Sequence, residues 1–226
     1  RYLYEGGNPY LRPCVISNID LNVVYKWLSL NAGYNYVDKP IIWTSTLYHG
    51  KDIIFQRSLN FSKDQDLYAS LVAEPRFGWY NPMFEIDYSQ TFLSTAGFDI
   101  EGIASKPSFR LRCNNRFDIS KTIKAYLNMK YRTSVHDGLQ YTKPYSQMDI
   151  RLSKTFCKEA WQISLFANDL FRQSKERWTT YGSRTSITKN CYEYYRCVGL
   201  VVRYRFNTAN SKYKGIGAGN AEKNRL

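Results

Sequence analysis

Eight basic side chains recur at alternate positions of three stretches, and they are the residues of this chain best suited to hold a solute. Arg110, Arg112 and Arg116 share one face of a strand over 108–117. Lys124, Lys130 and Arg132 share one over 122–133, and Arg203 and Arg205 share one over 195–206. A guanidinium fork binds carboxylates and hydroxyls well, so the chemistry on offer is recognition of an anionic or sugar-like solute. The plainer reading is a solvated wall of charge, which such strands carry without any ligand. Both readings stay open on sequence. Arg110 and Arg132 lie toward one end of their strands, Arg203 and Arg205 toward the other, and the first pair is the better placed for solute.

Other constellations are thin. His49 and His136 are the only histidines and have no carboxylate or cysteine at ligand spacing, so no metal site is expected. No Ser/His/Asp or Cys/His arrangement is legible, and neither catalysis nor a cofactor is expected. Asp64 and Asp66 read as part of a polar turn. Gly215–Gly219 has glycine spacing, but no helix follows to hold a phosphate. The five cysteines, Cys14, Cys113, Cys157, Cys191 and Cys197, include no CxxC pair. Cys191 and Cys197 could pair, although the odd count favours unpaired residues. Tyr48, His49, Trp178, Tyr181 and Tyr192 to Tyr195 fall in long connections. They could stack on a ligand, or simply pack loop against loop. A net charge of +13 suggests nucleic acid at first sight. The basic residues are interleaved along strands rather than gathered on a helix, so nucleic acid is not expected as a partner.

The elements that position these residues are strands with two different solvents on their two sides. In the last one, Val198, Leu200, Val202, Tyr204 and Phe206 alternate with Cys197, Gly199, Val201, Arg203 and Arg205. One face is apolar and ends in an aromatic; the other carries arginines. That pattern fits a membrane barrel with lipid outside and a polar lumen. Aromatics make up 16% of the 226 residues, with 20 Tyr and 5 Trp, which also fits. No run of 18 or more apolar residues exists, so no spanning helix is expected. The chain opens at Arg1 without a charged-then-apolar leader, so any signal peptide is expected upstream or already removed.

The alternation predicts membrane strands near Val15–Lys26, Leu28–Val37, Leu67–Phe77, Phe84–Ser89, Ser108–Phe117, Thr122–Thr133, Tyr145–Phe156, Trp161–Asn168 and Tyr195–Phe206. Short turns are expected near Trp27, Trp79–Pro82, Asp118–Lys121 and Cys157–Ala160. Long connections are expected over Asp38–Gln65, with a hairpin of Ile41–Tyr48 and Ile53–Phe61, and over Ser94–Lys106, Ser134–Lys143 and Gln173–Asn190. Trp27, Trp79, Phe117, Trp161 and Phe206 all fall at the short-turn level, as an interfacial girdle would. Short turns mark the periplasmic side of an outer-membrane barrel. The expectation is an all-β, antiparallel up-and-down transmembrane β-barrel in the bacterial outer membrane. The count is about nine or ten strands. Bacterial single-chain barrels have even strand numbers, and an odd count of nine starting from the extracellular side cannot close alone, so the chain is expected to be the C-terminal arc of a larger barrel. Residues 1–206 are expected to belong to the barrel and 207–226 to form a flexible periplasmic tail.

Several segments resemble a known family. Gly7-Asn8-Pro9-Tyr10-Leu11-Arg12-Pro13 resembles the GNPxLxP segment of TonB-dependent outer-membrane receptors, and Val202-Arg203-Tyr204-Arg205-Phe206-Asn207 resembles their closing strand. The tail, from Ser211-Lys212-Tyr213-Lys214-Gly215 to Glu222-Lys223-Asn224-Arg225-Leu226, is similar to the end of the related Bacteroidetes-type outer-membrane β-barrel proteins. Phe77-Gly78-Trp79 and Ala167-Asn168-Asp169-Leu170-Phe171 fit as well, so the resemblance runs over nearly the whole chain. Cys14 stands where the family commonly has Glu, and Ile216 where it has a small residue. The family's plug, TonB box and carboxypeptidase-regulatory-like module are not among these residues. The resemblance implies energised uptake of a bulky nutrient. Its implied partners are outer-membrane lipid, the protein's own N-terminal plug domain, the inner-membrane TonB complex acting through that plug, and a surface lipoprotein. It also gives the lumenal arginines, Arg203 and Arg205 above all, a further role as plug contacts. The alternative is an adhesion or assembly barrel without transport.

Overall fold

The computed structural model describes residues 3–48, 53–101, 105–192 and 196–206, which carry sixteen β-strands and no helix. Nine strands form one antiparallel sheet in which neighbours in sequence are neighbours in space. They are β2 (Val15–Tyr25), β3 (Leu28–Asp38), β6 (Lys63–Ala73), β7 (Tyr80–Thr91), β8 (Ser108–Phe117), β9 (Ile123–Arg132), β12 (Tyr145–Phe156), β13 (Trp161–Asn168) and β16 (Cys197–Tyr204). This is the expected up-and-down meander with the expected number of strands. The sheet does not close among the described residues: β2 and β16 are its edges.

Register turns the alternation of single strands into rows that cross the sheet. On the outer face, Leu30, Leu71, Ile86, Leu111 and Tyr131 stand in one row, each opposite the next. Leu127, Ile150, Ala167 and Val198 form another. On the inner face, Asn22, Asn31, Ser70, Asp87, Arg110, Arg132 and Tyr145 follow one another. A slip of one residue would move every row to the wrong face, so the two solvents fix the register. No apolar core lies under the sheet. The buried hydrophobic side chains among the described residues are Phe61 and Leu139, both outside the nine strands, whereas Ile86, Leu111, Ile150, Leu165 and Val198 are exposed.

At one end the connections are short. Tyr25 pairs with Leu28 across Lys26 and Trp27, with Lys26 at φ 54°. The second turn comes earlier than expected. Phe77 bridges to Tyr80 across Gly78 and Trp79, and Tyr80, Asn81 and Pro82 already belong to β7. Pro82 is tolerated there because the β6–β7 pairing ends at Ala73 opposite Phe84, beyond which β7 has β8 as its neighbour.

At the other end the excursions are more ordered than expected. The hairpin of β4 (Ile41–Leu47) and β5 (Ile54–Asn60) is present, with β1 (Leu3–Glu5) parallel to β5; its expected turn at 49–52 lies outside the described residues. β6 begins at Lys63, so Asp64 and Asp66 lie in a strand rather than in a turn. The connection expected to be a loop over Ser134–Lys143 holds β10 (Val135–Asp137) and β11 (Gln140–Thr142). The one over Gln173–Asn190 holds β14 (Glu176–Gly182) and β15 (Thr185–Cys191). These four strands form a sheet of order β10-β11-β14-β15. Ser94–Lys106 shows no strand among its described residues, and the tail at 207–226 lies outside them. The five cysteines are free.

The excursions pack on one another. Ser183 N donates to Ser45 O at 2.8 Å, and the Ser45 and Thr185 hydroxyls are 2.6 Å apart. Tyr181 N donates to Leu139 O at 2.8 Å. Arg184 Nε donates to Asp99 Oδ2 at 2.5 Å. Phe61 stacks on Phe98 with ring centroids 4.2 Å apart. Chain segments more than a hundred residues apart thus form a second layer at the long-connection end. The segment that enters β2 is fastened to this layer by Asn60, whose side chain accepts from Arg12 N at 2.8 Å and donates to Arg12 O and Lys39 O at 2.9 Å.

Candidate functional site

The expected basic residues do not form one site. They separate along the strands, as their sequence positions imply. Arg116 lies at the short-turn end and is paired with Asp118 at 3.0 Å. Lys124 faces Ser153 in register, Arg203 faces Gln162, and Arg205 is 3.9 Å from Glu159. None of these four lines the cluster nearer the long connections. That cluster contains Arg110, Arg112, Lys130 and Arg132. Arg110 stands directly opposite Arg132 on the neighbouring strand, and Arg112 directly opposite Lys130. Like charges placed opposite each other in a sheet repel, so the arrangement requires compensation.

Part of the compensation comes from β7. Glu85 and Asp87 share the inner face with the arginines because they stand opposite Arg112 and Arg110. Arg112 is ion-paired with Glu85 and lies 3.6 Å from Asp87; Arg110 lies 3.7 Å from Asp87. Glu85 and Asp87 were legible only as the polar half of an alternating strand; their role depends on the β7–β8 register. Asp66, once in its strand, accepts from the Thr91 hydroxyl at 2.6 Å. Arg132 has no carboxylate partner among the described residues. Its guanidinium carbon lies 5.8 Å from the centre of the Tyr145 ring.

Two cavities meet at this cluster. One, of about 270 Å³, is lined by the four cations with Tyr145 and Glu176. The other, of about 510 Å³, runs from Arg110 and Arg132 to Asp66 and Asp87 beneath the β10–β11 hairpin, where Asp137 and Gln140 close it. On that hairpin, partial burial pushes the Asp137 carboxyl above its ordinary range and the Asp66 carboxylate adds to the shift. Burial pushes the His136 imidazole down, helped by Lys106; His136 lies against Tyr141, with ring centroids 4.7 Å apart. His49 lies outside the described residues. Of the loop aromatics, Tyr48 packs on Tyr4 and Phe55, and Tyr192 meets Arg172 and Lys175. Among the described residues no group of three His, Cys, Asp or Glu side chains could hold a metal ion. The arrangement can therefore bind, through charge and hydrogen bonds, on the inner face below the outer layer.

The aromatic residues Trp27, Trp79, Phe117, Trp161 and Phe206 all lie at the short-turn end. Trp79 and Tyr80 pack on Phe117 at 5.9 and 5.0 Å, and Tyr204 lies 4.5 Å from Trp161 and 4.6 Å from Phe206. A second group stands on the outer face toward the other end. It is a band rather than one register row, and includes Tyr34, Tyr88, Phe109 and Tyr131, with Tyr88 and Phe109 opposite each other and edge to face at 5.5 Å. The rise from Phe109 to Phe117 is about 27 Å along the strand, and a tilt near 40° reduces it to roughly 20 Å, close to a barrel's apolar band.

An amphipathic antiparallel wall with its apolar side exposed, and aromatics at both ends of that side, is built for lipid. No curated protein and no solved structure matches the chain. The model of the outer membrane protein beta-barrel family matches residues 1–204, and the chain belongs to that family and resides in the bacterial outer membrane.

Proposed function

We propose that this chain is the barrel wall of a TonB-dependent receptor of the Bacteroidetes type that takes up a bulky nutrient. The observation that carries this reading is the open sheet of nine strands with a polar inner face. Lipid does not tolerate an unpaired strand edge, so β2 and β16 require further strands beside them. In this reading the strands that complete the barrel widen its lumen, and a wide lumen needs a plug to remain selective. In this reading the packed excursions and the Arg110–Arg132 region hold the solute first. The plug, drawn on by the inner-membrane TonB complex, then opens the path, and a surface lipoprotein can complete the outer lid. The chain itself performs no catalytic step.

The experiment is growth of the native host on candidate nutrients with the intact gene, with the gene deleted, and with the TonB complex disabled. Uptake requires that deleting the gene and disabling the complex abolish growth on the same nutrient. A second reading, an adhesion or assembly barrel, draws on the ordered outer layer joined through Ser45, Asp99 and Arg184. It predicts surface binding that persists without the energising complex and no nutrient for which the gene is needed.

A further inference from the structure

We infer that the inner face binds a small oxyanion, a carboxylate- or phosphate-bearing solute, in the cavity at Arg132 and Lys130. As to where that solute comes from, the inference rests on the uptake reading. Arg110 opposite Arg132, and Arg112 opposite Lys130, place four cations in two neighbouring rungs. Asp87 and Glu85 neutralise Arg110 and Arg112. Neither Lys130 nor Arg132 has a carboxylate within ion-pair distance among the described residues.

Arg132 carries the argument further. Its Nε and Nη2 are shielded from solvent and have no hydrogen-bond partner. These two N–H groups form one edge of the guanidinium, the edge that grips a carboxylate or phosphate with two parallel bonds. Shielded donors without acceptors are costly, and the cavity that Arg132 lines is where an acceptor would answer them. A sugar could accept the two N–H bonds but would bring no charge to Lys130 and Arg132, neither of which is ion-paired among the described residues; an oxyanion does both. The cavity of about 270 Å³ has room for an anion the size of citrate. Glu176 lines the same cavity, and like charge disfavours an anion placed against it, so the cations define where the anion sits.

The test is calorimetric titration of the intact outer-membrane protein in detergent at low ionic strength, with citrate as the probe and sucrose as a neutral control. Wild type should bind citrate saturably, and binding should weaken steeply with added NaCl. Arg132→Gln should weaken it at least tenfold. Arg132→Lys, which keeps the charge and the fold but loses the fork, should fall between the two. Lys121→Gln, in the exposed short turn at the other end of the sheet, should bind as wild type. No saturable citrate binding by wild type, or equal binding by Arg132→Gln, overturns the inference. So does a wild type that ignores citrate while Arg132→Gln lowers its urea midpoint, since Arg132 would then be satisfied by a carboxylate of the protein itself. The growth experiment with the TonB complex disabled is read separately. If it succeeds while citrate fails, uptake stands and the oxyanion site falls.

Discussion

Asn115 sits on the outer face between Cys113 and Phe117, where the alternation calls for an apolar side chain. It is only 5% exposed, and its amide is fully engaged. Tyr80 Oη donates to Asn115 Oδ1 at 2.6 Å, and Asn115 Nδ2 donates to Leu127 O and to Cys113 Sγ at 3.1 Å. Facing lipid, an amide without these partners would be left unsatisfied. Tyr80→Phe removes the donor to Oδ1 found among the described residues and should lower the stability of the intact protein by about 1–2 kcal/mol. The double variant Tyr80→Phe/Asn115→Leu should recover most of it. Urea-induced unfolding in lipid vesicles measures both, and an unchanged midpoint for the single variant would remove the role given to this pair. The sequence showed which face each arginine occupies, because parity alone decides that. It could not show that Tyr80 finds Asn115, or that Lys130 and Arg132 stand apart from the carboxylates. Those facts depend on pairing between strands, which no single strand contains.

Elements were legible in proportion to the contrast between their two sides. β8 and β9 announce themselves because Leu111 and Leu127 alternate with Arg112 and Lys130. β14 and β15 do not, because threonine, serine and charge occupy both faces, and the stretch reads as a loop. The Lys26-Trp27 turn was found from the strands around it rather than from its own residues, since Lys26 adopts a left-handed φ of 54° that glycine or asparagine usually signals. Close approach also leaves a trace. Gly199 stands opposite Phe166, whose ring fills the space a side chain would take. At Gly182 a Cβ would collide with Ser45 Oγ and Ser45 O, so only glycine lets β14 lie against β4. Gly182→Val should lift the β14–β15 hairpin off the β4–β5 hairpin while leaving the nine-stranded sheet alone. Trypsin added to whole cells should then cleave near Arg184 several-fold faster, with no shift in the urea midpoint of the barrel. Cleavage at the wild-type rate would mean that Ser45 and Gly182 do not hold the outer layer together.

For the whole molecule, the meander and its membrane setting were legible because lipid and lumen write opposite residue types onto the two faces of every strand. Closure was not, because it depends on what lies beside β2 and β16. Each edge presents a row of unpaired N–H and C=O groups, and each such group costs several kcal/mol in hydrocarbon. The exposed outer side chains of β2, among them Ile19 at 75%, belong to a strand that lipid would accept on its face but not along its edge. Residues 1–206 produced alone and refolded in detergent should therefore give no compact, heat-modifiable band on a gel, while the intact gene product should give one. A compact band from residues 1–206 alone would mean that β2 and β16 find each other. The lumen would then be narrow and filled by its own side chains. Arg110, Arg112, Lys130 and Arg132, side by side on β8 and β9, would face the opposite wall across it, and uptake of a bulky nutrient would lose its physical basis.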